Sequence, residues 1–177
     1  HDISDWEKKM AVKYDNKKFL EPDQPAMGIT WYDAVAYCIW LTLMETASQE
    51  KTKSPRLADA KTFYRLPHEY EWQWAAGGRE EEDQLREYPW PKDKGAPSSK
   101  LANYDKNVGA TTPVGRYPDG ATPEGLLDMA GNVWEWQANW LVDSEEYSAL
   151  RGGSWIVNDG LLRCSTRSYV DPVNGYN

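Results

Sequence analysis

The strongest hydrophobic pattern in the chain lies between Gly28 and Gln49, in GITWYDAVAYCIWLTLMETASQ. Apolar positions recur there at helical spacing, which predicts a long helix. Ala34, Val35, Cys38, Ile39 and Leu41 fall largely on one face, with Trp31 and Trp40 flanking it. Thr30 stands at the N-cap position, and Asp33 three residues on completes the spacing of a capping box. A second, shorter helix is expected in PHEYEWQWAAGG. Pro67 ends a short strand over FYRL and opens that helix, with His68 at its start. Glu69 and Glu71 complement the helix dipole in the first turn. Gly77 and Gly78 stop it.

Elsewhere the periodicity is weak. The first 25 residues are polar with scattered apolar positions and read as loop and short turns. EKTKSPRLADAK is charged, contains Pro55 and reads as a surface insertion. Residues 79–124 are rich in Pro, Gly, Lys and Asp. In them REEEDQLRE reads as a solvated face or short helix, and YPWPKDKG and YPDGATPEG as turns. An irregular stretch of that length needs something to order it, such as a metal or a binding role. A turn and a short strand with alternating aromatics follow in GLLDMAGNVWEWQANW. ALRGGSW reads as another strand, and the tail IVNDGLLRCSTRSYVDPVNGYN as short strands and loops. There is no internal repeat and no domain boundary, so residues 1–177 are read as one domain.

Composition narrows the function classes. The chain has ten Trp and eleven Tyr against two Phe. Indole N–H and phenol O–H groups need partners when buried, which favours hydrogen-bonded loops over a smooth aliphatic bundle. A net charge of −8 argues against nucleic-acid binding. No apolar run is long enough to span a membrane, and no signal peptide is visible. His1 is not an initiator, so any targeting signal is expected ahead of it.

Few residues carry obvious chemistry. Walker, GxGxxG, CxxC, HExxH and GxSxG motifs are all missing. His68 reads most simply as a helix cap. Cys38 and Cys164 allow one bridge, two thiols or one reactive thiol; Cys38, in AVAYCIW, is expected to be a buried, inert thiol. The notable cluster is DMAGNVWE. Asp128 and Glu135 supply carboxylates, Gly131 permits a sharp turn between them, and the Gly131 and Val133 carbonyls could point the same way. Hard oxygen donors from one loop suit calcium. From the residues alone, a tight turn bonded to its own backbone is the simpler reading.

The ordered set GITWYDAVAYC, YRLPHEYEWQWAAGG, YPW, AN, PVG, GLLDMAGNVWEW, LRGGSW and RCSTRS resembles the formylglycine-generating (sulfatase-modifying factor) family, from around Ala26 to the end. The resemblance implies an α+β, C-type-lectin-like fold: two helices on a small twisted antiparallel sheet, with much ordered loop. It implies that the strands that usually precede the first helix, and a closing GFR strand, are absent from this stretch. It implies calcium at Asp128, Gly131, Val133 and Glu135, and a second calcium site at Asn103 and Tyr104, where Asp105 or Asn107 would have to replace a further Asp. Active members of the family oxidise a substrate cysteine with copper held by two thiolates after the GGS strand. The matching stretch here, WIVNDGLL, has no cysteine, and Cys164 matches a later structural position. Copper and oxidase activity are therefore not expected.

The chain is also similar to the variable proteins of diversity-generating retroelements, whose ligand surface follows RGGSW. Leu150 to Trp155, Arg163, Cys164, Arg167 and Pro172 match the fixed scaffold. Ile156, Val157, Asn158, Asp159, Thr166, Ser168, Tyr169, Asp171, Val173, Asn174 and Tyr176 match display positions, and Tyr, Ser and Asn are residue types that binding loops use. A plain family loop with polar surface residues fits the same stretch. The resulting expectation is a non-catalytic module that binds a protein or other surface ligand. The alternatives are a formylglycine-type oxidase and an accessory domain of a larger sensor or kinase.

Overall fold

A computed structural model describes residues 22–78, 85–140 and 146–175. Helix α1 spans Trp31–Glu50 and α2 spans Glu69–Gly77. Three short strands, β1 (Glu135–Trp140), β2 (Ser148–Arg151) and β3 (Ser168–Val170), form an antiparallel sheet in the order β1-β2-β3. The fold is α+β, and among the described residues most of the chain between these elements is turn and irregular loop.

Both helices begin as their sequences dictate. Thr30 Oγ1 accepts the Asp33 N–H at 3.1 Å, and Asp33 Oδ2 accepts the Thr30 N–H at 2.9 Å. At α2, His68 Nδ1 accepts the Tyr70 N–H at 3.4 Å while Glu71 accepts the His68 N–H at 2.8 Å. Gly78 ends α2 at φ +54°, a left-handed conformation that glycine adopts without strain.

The buried face of α1 differs from the expected one. Ile39 is 42% exposed, and the buried positions are Ala34, Thr42 and Thr46. Cys38 is half-buried rather than buried. The two threonines tolerate burial because their hydroxyls bond back within the helix, to the Cys38 and Thr42 carbonyls at 2.9 and 2.8 Å. The inward stripe thus runs at four-residue steps from Ala34, leaving Ile39 on the other side. The expected strand over FYRL is irregular chain outside the sheet. The Tyr64 N–H goes to the Thr42 hydroxyl at 2.9 Å, and Pro67 has no N–H to give, although its carbonyl accepts from Ala138. Strand β2 ends at Arg151, because Gly152 and Gly153 turn away with φ of +89° and +78°.

Strand alternation gives the sheet two different faces. Trp136 lies opposite Leu150 in the ladder; both pack with Ala34 of α1, supported by Ile29, Trp31 and Leu66. Burial of a side chain such as Leu150 stabilises the fold by about 2 kcal/mol. Their neighbours Glu135 and Arg151, also cross-strand partners, reach Trp72 of α2 instead. The irregular middle is anchored on a second cluster of Trp90, Leu101, Ala102, Ala130 and Leu162. There the Trp90 N–H finds the Gly95 carbonyl at 2.9 Å.

Candidate metal site and ligand-binding face

The loop from Asp128 to Glu135 folds tightly. Asp128, Gly131 and Asn132 all take positive φ, at 55°, 76° and 64°. A Cβ at Gly131 would collide with the Asn103 carbonyl, so the close approach requires glycine. Asn132 is buried and locks the loop to its neighbours. Its Oδ1 accepts the Thr112 N–H at 2.9 Å, its Nδ2 donates to the Thr112 carbonyl at 3.1 Å, and its N–H donates to the Asn103 carbonyl at 2.8 Å.

The two carboxylates of the loop are electrostatically uncomfortable. Asp128 Oδ2 accepts the Gly115 N–H at 2.6 Å, yet burial pushes its pKa up. Glu135 Oε2 accepts the Trp72 indole N–H at 2.6 Å. Burial pushes its carboxyl up to about 7, against the Trp72 bond and with help from the charge on Asp128. The other oxygen of each carboxylate takes no hydrogen bond among the described residues. The Val133 and Met129 carbonyls converge on Gly152, whose missing side chain keeps that space open. A hard cation is what two such carboxylates and neighbouring carbonyls suit. Among the described residues no three His, Cys, Asp or Glu side chains cluster, so carbonyls would have to complete the shell.

Asn103, buried at the neighbouring loop, donates from Nδ2 to the Ala110 carbonyl at 2.9 Å. Its Oδ1 is buried without a hydrogen-bond partner, a costly arrangement that an ion or water would relieve. The Tyr104 side chain packs on the Trp90 cluster. Asp105 and Lys106 follow with positive φ, and Asp105 and Asn107 are both exposed.

The same loops clamp the start of the tail. The Trp155 N–H donates to the Asn132 carbonyl at 3.0 Å, the Lys106 N–H to the Trp155 carbonyl at 2.7 Å, and the Asp105 N–H to the Val157 carbonyl at 2.8 Å. On this fixed backbone Ile156, Asn158 and Asp159 are exposed, as are Val173 and Asn174 further on. Thr166, Ser168, Tyr169 and Asp171 are half-buried, with Ser168 and Tyr169 on β3. Val157 packs against the Trp90 cluster. Tyr176 lies outside the described residues. Arg151 to Ser154 are buried, as are Cys164 and Pro172, whereas Arg163 is exposed and pairs with Glu87 at 2.7 Å.

Cys38 and Cys164 are both thiols. Cys164 is buried with Trp72 and Ala76, and burial raises the Cys38 pKa, which keeps that sulfur protonated.

One element was not legible in the sequence. Glu69, read there only as a dipole acid, is buried and pairs with Arg151 at 3.2 Å and also with Arg167. Asn139 Nδ2 donates to the same carboxylate at 3.1 Å. Arg151 further donates to Gln73 Oε1 and to the Cys164 and Thr166 carbonyls. The cluster ties α2 to β1, β2 and the tail through partners 82 and 98 residues apart.

Two helices on a small antiparallel sheet, with long loops held by polar side chains and ordered around the 128–135 turn, define a formylglycine-generating-enzyme-like, C-type-lectin-like fold. Residues 3–176 match the model of the sulfatase-modifying factor enzyme 1-like domain, and the chain belongs to that family. It is 30% identical over 183 residues to a hercynine oxygenase of Mycolicibacterium thermoresistibile, covering 92% of this chain and 36% of that protein. It is 31% identical over 141 residues to the inactive C-alpha-formylglycine-generating enzyme 2 of Bos taurus, covering 75% of this chain and 38% of that protein. The chain thus spans little more than a third of the length of either relative. Among solved structures, the Treponema denticola variable protein 1 superposes with a TM-score of 0.68 at 23% identity, over 97% of this chain and 78% of that one, a likeness of fold. Among the described residues no helix is long and apolar enough to cross a membrane.

Proposed function

We propose that this domain is a non-catalytic ligand-binding module, with its recognition face on the tail that follows Trp155. The observation that carries this reading is the rigidity of the 155–157 backbone beneath exposed side chains. Three backbone bonds hold it while Ile156, Asn158 and Asp159 stay solvent-facing. A fixed scaffold with adaptable surface residues is how binding loops achieve affinity at low ordering cost. The likeness to a variable protein supports the scaffold, and the kinship to an inactive relative supports a role without chemistry. Residues 155–162, where active relatives are expected to hold copper thiolates, contain no cysteine.

Calcium is proposed as a structural ion. Asp128 and Glu135 would hold it by side chain and Gly131 and Val133 by carbonyl, neutralising the paired acids and stiffening the turn under the face. The Asn103 side chain and the Tyr104 carbonyl are candidates for a second ion, on the strength of the orphaned Asn103 Oδ1.

The experiment that tests this reading supplies the purified chain with Cu(I), oxygen and a cysteine-bearing sulfatase peptide. Mass spectrometry is expected to show no formylglycine; conversion of the peptide overturns the reading. A second reading, an accessory domain within a longer oxygenase-like protein, is favoured by the 36% span of the hercynine oxygenase. Binding by the isolated domain, with no change when the rest of the protein is supplied, would count against it.

A further inference from the structure

The buried ion cluster carries more positive than negative charge. Glu69 is the carboxylate that both Arg151 and Arg167 pair with. The other partners in the cluster, Asn139, Gln73 and backbone carbonyls, are neutral. Among the described residues one positive charge is therefore left over. Arg151 is 1% exposed, so it is Arg167, 38% exposed, that presents the charge to solvent.

The geometry around Arg167 is that of a recognition point. Its Nε and Nη2 are committed to Glu69, and the Tyr169 side chain is a further hydrogen-bonding neighbour of the guanidinium, which stays 38% exposed. The guanidinium lies over the Tyr169 ring, 5.3 Å from the centroid. Tyr70 follows Glu69, the partner of Arg167, in the first turn of α2. Tyr70 is 64% exposed and stacks on His68 at 5.1 Å. A large aromatic side chain left that open, one residue along from the carboxylate that Arg167 pairs with, is spare contact area near spare charge.

We propose that Arg167, Tyr169 and Tyr70 form an anchor for a carboxylate-bearing segment of a protein partner, at the edge of the recognition face. This rests on the ligand-binding reading above and names the chemistry that the face selects. The carboxylate approaches the solvent-exposed side of the Arg167 guanidinium in a charge-assisted bond. A neighbouring apolar residue of the segment lies on the Tyr70 ring. A chain with net charge −8 repels acidic partners in general, so a local cationic spot orients an approaching acid toward this edge. A single uncompensated charge matches a single side-chain carboxylate rather than a polyanion or an anionic membrane.

Short random peptides displayed on phage, panned on the full chain, test this. Enriched peptides are expected to share an Asp or Glu beside an apolar residue. Replacing that acid by its amide is expected to weaken binding about tenfold, and Tyr70→Ala to do the same. Arg167 is structural, so Tyr70→Ala and the amide peptide carry the test, with thermal melts confirming that the variant is folded. Peptides that bind without an acid, lose affinity on Asn158→Ala and ignore Tyr70→Ala overturn this inference but leave the ligand-binding reading intact. Equal or tighter binding to anionic vesicles than to the peptides overturns the choice of a protein partner. An empty selection overturns the inference and the reading beneath it.

Discussion

Trp72 donates its indole N–H to Glu135 Oε2 at 2.6 Å, joining residues 63 positions apart. The same ring lies 5.9 Å below the Arg151 guanidinium. Glu135 and Arg151 face each other across β1 and β2, and Trp72 engages each through a different part of its ring. The indole edge serves the acid and the π face serves the cation. Trp72→Phe keeps the ring and removes the donor. Leaving that carboxylate oxygen unpaired is expected to cost about 1–3 kcal/mol. Urea denaturation measures this, and an unchanged midpoint contradicts the assignment.

The Glu69 cluster gives a larger prediction. Glu69→Gln keeps the shape and leaves two guanidinium groups without their counter-charge. Breaking a buried pair in this way is expected to cost about 3–5 kcal/mol, seen as a lower denaturation midpoint. A loss below about 1 kcal/mol would mean that the cluster is solvated in solution.

Much of this scaffold is legible along the chain, and the rest is not, for a physical reason. Thr30 with Asp33 and His68 with Glu71 are local devices, so their spacing alone reveals both helix starts. Ile39 misleads because hydrophobicity scales cannot anticipate that Thr42 and Thr46 bury their hydroxyls by bonding back along α1. FYRL misleads because its apolar content suggests a strand, whereas its N–H groups find no ladder. The Glu69–Arg151–Arg167 cluster has no local signature at all. Its members lie far apart in sequence, and each is an ordinary charged residue until the fold brings them together. The two carboxylates of the 128–135 turn are visible as a motif, but the burial that raises both of their pKa values appears only once the fold closes around them.

Acid titration isolates the second capping box. Bonds from Arg65 first, and from the His68 N–H, hold the Glu71 carboxyl down to about 2. A depressed carboxylate stabilises the fold above its ordinary value and loses that contribution as pH falls. Stability is therefore expected to decline from pH 4.5 toward 2, with the Glu71→Gln variant showing a shallower decline. Thermal melts across that range measure it; identical slopes would contradict the assignment.

Calcium should act on the 128–135 turn. Added to chelator-treated protein at about a hundred times its dissociation constant, it is expected to stabilise the fold by about 2.7 kcal/mol. Asp128→Asn combined with Glu135→Gln should remove the response. A melting temperature indifferent to both EDTA and calcium contradicts the proposed ion.

The central claim is that the tail after Trp155 is a replaceable surface on a fixed scaffold. The most direct measurement exchanges Ile156, Asn158, Asp159, Val173 and Asn174 together, leaving Leu150 to Trp155 untouched, and pans the same peptide library on both proteins. A nearly unchanged melting temperature with a different set of enriched peptides is the predicted result. An identical set of peptides, or loss of the cooperative melt, would contradict the account.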